Sequence, residues 1–224
     1  MAGRHSDNYW YLLGRGGGSG SSSGLSGSIN SSGQIVGQSG FGPTLWQNGA
    51  ATNLQWPGGN NGTAYAINDS GQIVGTALNP NGVNYYDGVQ WQNGVLAYLT
   101  DLGYQYSQAL DNNNSGDIVG FSRSSAPDQF GPSTIDAILW QNGATVDLTT
   151  LIEDAFGPVG NARAFAINNK GQIAVDAQYN NASSVFLFTP TSIPEPPSWA
   201  IVLTELLGIA AIALLSRVQR HRLP

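Results

Sequence analysis

The sequence predicts an all-β fold, a small β-propeller-like array of about four blade repeats, followed by a C-terminal apolar segment read as a transmembrane-type α-helix. Three observations carry it. The stretch Gly33-Gln34-Ile35-Val36-Gly37 returns at Gly71–Gly75, with Asp117 for Gln at Gly116–Gly120 and, further altered, at Gly171–Val175. A second landmark, Trp-Gln-Asn-Gly, recurs at Trp46, Trp91 and Trp140, and the 45- and 49-residue spacings match four-stranded propeller blades. The third is the run Trp199–Leu215, apolar but for Thr204 and Glu205.

Each landmark fixes a hairpin. The Gly-Gln-Ile-Val-Gly copies follow Asn-rich turns, Asn30-Ser31-Ser32, Asn68-Asp69-Ser70, Asn113-Asn114-Ser115 and Asn168-Asn169-Lys170. Asn bonds the backbone two residues on, and Gly supplies the left-handed conformation that closes a bulged hairpin. The strands joined are of the kind Ala64–Ile67 and Ala164–Ile167 before the turn and Ile-Val after it. At Asn48-Gly49, Asn93-Gly94 and Asn142-Gly143 the dipeptide predicts type I′ turns, each followed by a short strand such as Val95–Leu99. Copy four lacks an Asn-Gly turn and ends at Thr189-Pro190, so its fourth strand is sought elsewhere. Tyr9–Leu13, beyond the Gly/Ser linker, is the β-prone segment expected to pair beside Val185–Phe188 and close the ring.

In an antiparallel meander the two kinds of Asn turn share one end. The connections of unequal length gather at the other: from the first Gly of each copy to the next aromatic the distance is 13, 20, 24 and 17 residues. Variable loops on a rigid scaffold are where binding concentrates. Ligand candidates at that end are Trp56, Tyr85, Tyr86, Asp87, Asp101 and Tyr104, because aromatic faces beside carboxylates suit sugar rings.

Composition removes several chemistries. There is no Cys, which excludes disulfide scaffolds and thiol catalysis, and the two His, His5 and His221, lie in the tails, away from any triad or zinc site. No cofactor and no metal is expected. Asp111–Asp117 imitates half a calcium loop, but Ser122 stands where the closing Glu belongs, and an ordinary hairpin turn is the better reading. Residues 26–192 hold eleven acids against Arg123, Arg163 and Lys170, a balance of −8, so nucleic acid is not a partner. Catalytic residues are not assigned, although paired loop carboxylates leave a glycosidase-like, polysaccharide-acting enzyme as the alternative.

At the C-terminus, nine Ile, Val and Leu within Trp199–Leu215 favour insertion by roughly 4 kcal/mol, against about 3 kcal/mol for Glu205. Arg217, Arg220 and Arg222 then hold the tail on the cytoplasmic side. Four segments result: 1–25, a flexible N-terminal segment with a Gly/Ser linker; 26–190, the repeat domain; 191–198, a Pro-rich stalk; and 199–224, a helix with an Arg-rich tail.

Pro194-Glu195-Pro196, an apolar segment and an Arg-rich end together resemble the PEP-CTERM sorting signal of exported bacterial proteins. That resemblance implies an exosortase-type sorting machinery as partner, inner-membrane anchoring through the C-terminal helix, and later a cell-surface or extracellular location linked to biofilm. Residues 26–189, with Ile-Asn, Gly-Gln-Ile-Val-Gly and Leu-Trp-x-x-Gly landmarks, resemble the HAF extracellular repeat family. The likeness implies a propeller-like fold with no established activity. The family's His is replaced by Pro43, Gly88, Ala137 and Val185. The expectation is a non-enzymatic exported surface or extracellular-matrix repeat protein, extended to exopolysaccharide as ligand.

Overall fold

The computed structural model describes residues 25–39, 42–55, 62–80, 86–104, 106–124, 134–190 and 199–204. Their strands form four antiparallel sheets, each a four-stranded meander in chain order. The first holds β1 (Leu25–Ile29), β2 (Ile35–Ser39), β3 (Gly42–Gln47) and β4 (Ala50–Asn53). The second holds β5 (Thr63–Ile67), β6 (Ile73–Leu78), β7 (Tyr86–Gln92) and β8 (Val95–Tyr98). The third holds β9 (Tyr106–Asn112), β10 (Ile118–Arg123), β11 (Ile135–Gln141) and β12 (Ala144–Asp147). After a helix, α1 (Leu148–Phe156), the fourth holds β13 (Gly160–Ile167), β14 (Ile173–Tyr179), β15 (Ala182–Pro190) and β16 (Trp199–Thr204).

Both hairpin assignments hold. Asn48, Asn93 and Asn142 have φ of 51–52° and Gly49, Gly94 and Gly143 have φ of 77–78°, the two positive values a type I′ turn requires. In the other turn Gly71 N–H donates to Asn68 O at 3.1 Å and Asn68 N–H to Gln72 O at 3.0 Å, with Gly71 at φ 76°. The second Gly of the motif has a different task. A Cβ on Gly120 would lie 1.9 Å from Gln108 O, because the bulge in β9 brings that backbone against β10.

Strand register sorts the side chains into two rows per sheet. The front row is Ile67, Ile73 and Trp91 in the second sheet, Asn112, Ile118 and Trp140 in the third, and Ile167, Ile173 and Phe188 in the fourth, all buried. The back row is Ser28, Val36 and Leu45 in the first sheet and Asp111, Val119 and Leu139 in the third. Front rows meet back rows of the preceding sheet, which yields three cores. Val36 and Leu45 pack with Ile67, Ile73 and Trp91; Ala66 and Val74 with Ile118 and Trp140; Val119 and Leu139 with Ile173 and Phe188. Successive first strands β1, β5, β9 and β13 also touch in order, forming an inner edge. Between the fourth sheet and the first, the described residues make no packing on that scale.

Three expectations are corrected. Trp199–Thr204, the start of the expected helix, is strand β16, paired with β15 from Val185↔Thr204 to Pro190↔Trp199. An open edge beside β15 and the β-branched pair Ile201-Val202 favour pairing there. The same strand takes the edge expected to receive Tyr9–Leu13, so that closure is overturned, and Tyr9–Leu13 itself lies outside the described residues. The connection after β12, which the unequal-loop reading leaves without an element of its own, is helical over Leu148–Phe156: Asp147 accepts from Thr149 N–H at 2.8 Å and Thr150 N–H at 3.1 Å, while Leu148 and Ile152 face the core. Among the described residues no helix is long and apolar enough to cross a membrane, and 205–224 lie outside them.

Candidate ligand-binding face

The Asn turns do share one end, since side chains from successive turns bond one another. Asn30 Nδ2 donates to Asn68 O (3.1 Å), Asn68 Nδ2 to Asn113 O (2.8 Å) and Asn113 Nδ2 to Asn168 O (3.4 Å). The unequal loops therefore lie together at the opposite end. Of the six ligand candidates, Tyr86, Asp87, Asp101 and Tyr104 are placed there, all half-buried, at the start of β7 and in the β8–β9 connection. Trp56 and Tyr85 lie outside the described residues, as do Pro194, Glu195, Pro196, Arg217, Arg220 and Arg222.

Tyr86 begins a row of three rings from two sheets that ends on a guanidinium from a third. Its ring stands edge-on to Tyr106 of β9, with centroids 6.2 Å apart at 68°. Tyr106 in turn lies 6.1 Å from Phe121 of β10, and the guanidinium carbon of Arg163, on β13, sits 5.2 Å from the Phe121 centroid. Tyr106 OH accepts from Gln108 Nε2, and Tyr65 bonds both Thr63 and Gln108, so the phenols are fixed in orientation. Burial pushes both phenols further up from their ordinary range. Tyr106, which the parity of the meander already assigns to the loop end, begins β9 there, whereas Phe121 and Arg163 were not among the sequence candidates. Those two sit inside strands, and only the register of β10 and β13 brings them to the loop end.

The carboxylates beside this row have structural partners. Asp87 accepts from Asn79 Nδ2 at 2.5 Å; burial, and secondarily the Asp101 charge, raise its carboxyl above the usual range. Asp101 accepts from Gly103 N–H at 2.8 Å and from the Tyr104 backbone, closing its own turn, while burial raises it. Tyr104 bonds Asp136 and Thr134, and burial again raises the Asp136 carboxyl, with Asp147 and Glu153 adding to the shift. Asp111, the first acid of the calcium-like stretch, accepts from Ile167 N–H of the next sheet (2.9 Å) and from Asn112 N–H. Asp117 accepts from Asn113 Nδ2 and Gln141 Nε2, each at 2.9 Å. That stretch is a hairpin turn whose oxygens already serve the scaffold. No group of three or more His, Cys, Asp or Glu among the described residues is placed to hold a metal.

A cleft of about 700 Å³ opens at the other end, between the first two sheets. It is walled by Gln34, Leu54, Gln55, Asp69 and the Asn93-Gly94 turn, a place that loop-length reasoning passed over. Its one carboxylate, Asp69, accepts from the Ser31 hydroxyl, from Ser31 N–H and from Asn114 Nδ2, which in that order lower its pKa and leave it tied to the turns.

The loop end thus holds a fixed chain of ring contacts in which Tyr86 and Tyr106 are half-buried and Phe121 is buried, with polar hydroxyls and amides beside it. Comparison with protein-family models, with curated proteins and with solved structures finds no match to this chain.

Proposed function

We propose that this chain is a non-enzymatic, exported bacterial surface or extracellular-matrix repeat protein whose variable-loop end binds exopolysaccharide. The observation that carries the reading is the row Tyr86–Tyr106–Phe121–Arg163, which spans three sheets at the end where loop length varies. An extended row of that kind, with the half-buried Tyr86 and Tyr106 rings at its accessible part, suits a polymer of sugar rings better than a single small substrate. The acids around it are engaged in caps, turns and sheet ties, the reverse of an acid–base pair held open for a glycosidic bond. The four sheets, stacked front to back with their first strands on one inner edge, are read as blades of a β-propeller.

The address rests on the resemblance of 193–224 to an exosortase sorting signal. β16 and a membrane span compete for the same residues. With β16 docked, the apolar run left at 205–215 reaches only about 16 Å, half of a bilayer core. We therefore assign membrane anchoring to a state in which β16 has left the fourth sheet.

The rival is a glycosidase-like enzyme, for which the mutual proximity of Asp87 and Asp101, both raised, is the favouring observation. Glycan binding by the full chain, lost in Tyr86→Ala and accompanied by no release of reducing ends, is the expected result. Reducing-sugar release abolished by Asp87→Asn would instead establish the enzyme.

A further inference from the structure

We propose that the array continues from one molecule to the next: the fourth sheet of one copy seats on the first sheet of a second copy, repeating the packing that joins the sheets within the chain.

The front row of the first sheet is Ile29, Ile35 and Trp46, aligned by register as in the other three sheets. Elsewhere this row is closed off. Ile67 is 5% exposed, Ile167 7%, Trp91 1% and Trp140 5%, whereas Ile29 is 64% exposed and Ile35 and Trp46 are only half-buried. Trp91 Nε1 donates to Gln55 O at 2.6 Å and Trp140 Nε1 to Thr100 O, each reaching the preceding sheet's outer connection. Trp46 Nε1 finds no such acceptor among the described residues.

The opposite end has the complementary lack. Ala166, Ala174 and Leu187 form the back row of the fourth sheet, at the positions where Asp111, Val119 and Leu139 receive a following sheet. Ala166 is exposed and the other two are half-buried, although Val119 and Leu139 are fully buried. The turn ladder breaks at the same place. Asn30, Asn68 and Asn113 are buried and each donates to the next turn, while Asn168 is exposed and, among the described residues, its Nδ2 donates only to its own Gln172, at 2.8 Å. Among the described residues Asn169 N–H likewise lacks the side-chain acceptor that Ser31, Asp69 and Asn114 N–H each find one sheet on.

These two ends fit each other and not themselves. The fourth sheet offers side-chain amide and main-chain donors, and the first offers Asn30 O and Ser31 Oγ together with an uncovered Ile and Trp. A second copy of this chain supplies both halves with the correct polarity. The contact is heterologous, so it closes to a ring or runs on as an open chain.

The absence of cysteine gives a direct test. Ile29→Cys and Ala174→Cys are made separately in the full chain, kept in mild non-ionic detergent, and treated with a short bis-maleimide. A covalent dimer is expected when the two are mixed and not from either alone. No dimer in the mixture overturns the proposal, as does equal dimer from each variant alone, which signals an isologous contact. A cross-link within one chain carrying both cysteines, without dimer, also overturns it, because the array would then close on itself. Ile29→Lys, at an exposed position, is expected to keep the wild-type melting temperature while reducing sedimentation to the 23.5 kDa monomer. Unchanged sedimentation of that variant, or a wild-type chain that is monomeric at all concentrations, counts against the contact.

Discussion

Asn68 Nδ2 donates to the main-chain oxygen of Asn113, 45 residues away and one sheet on, at 2.8 Å. The same side chain accepts from Ser70 N–H and Gln72 N–H and donates to Gln72 Oε1, so one amide both closes its own hairpin and fixes its neighbour's. Asn68→Ala leaves buried donors of this hairpin without partners and should cost about 2–4 kcal/mol. Asn168→Ala, at the exposed end of the ladder, should cost no more than about 1 kcal/mol, since water replaces the amide. Equal losses in denaturant titrations would show that the turns act independently.

Asn112 occupies the front-row position held by Ile67 and Ile167. Its Nδ2 donates to Gln72 O at 2.9 Å and Gln72 Oε1 at 3.1 Å, but its Oδ1 is buried without a partner. Gln72 O also accepts from Asn68 N–H and Gln72 Oε1 from Asn68 Nδ2, so neither is orphaned when Asn112 is replaced. Asn112→Ile should therefore raise stability by about 1 kcal/mol or more, seen as a higher melting temperature. A lower one would mean that the amide supplies something the surrounding bonds do not.

The repeats made the strands legible. Asn-Gly spelled out three type I′ turns, and the first Gly of each motif marked the bulged turn, because both need backbone conformations few residues adopt. The helix at Leu148–Phe156 was harder to read: nine residues are too few for a clear 3.6-residue period, and Asp147 as its cap looks like any loop acid. Trp199–Thr204 misled for a physical reason. A run of Trp, Ala, Ile, Val and Leu satisfies a lipid environment and a buried sheet edge equally, and only the vacancy beside β15 decides between them. The binding face was half legible. Tyr86 and Tyr106 lay in loop-flanking positions, but Phe121 and Arg163 reach the same end through two strands whose register the sequence does not state.

Asp87, Asp101, Asp111 and Asp136 all have carboxyls raised chiefly by burial. A raised folded value means that the folded chain holds protons the unfolded chain has released. Stability should then increase as pH falls from 7 toward the ordinary carboxylate value near 4, and decrease as pH rises through the raised values. Melting temperatures across that interval should climb on acidification. Asp111→Asn, whose amide oxygen can still accept from Ile167 N–H, should flatten part of the slope. A melting temperature that falls steadily from pH 7 would contradict the burial of these acids.

The last prediction separates the two environments open to Trp199–Thr204. β15 has β14 on one side and β16 on the other, and its register with β16 runs unbroken over six residue pairs. Deleting residues 193–224 removes β16 and leaves the main-chain groups on that side of β15 as an open edge, next to the half-buried Val185 and Leu187. With net contributions of about 1 kcal/mol for each hydrogen bond, offset by the entropy of ordering the strand, the loss should be on the order of 2 kcal/mol. For a chain of this length that lowers the melting temperature by roughly 4–8 °C, and the exposed edge should promote association on a sizing column. Were the segment a lipid-embedded helix instead, the same deletion would shift the protein from the membrane to the soluble fraction and leave the melt of the repeat domain unchanged. Measuring both fractionation and melting on the two forms tells strand from span, because an unaltered melting temperature cannot be reconciled with β16 as part of the fourth sheet.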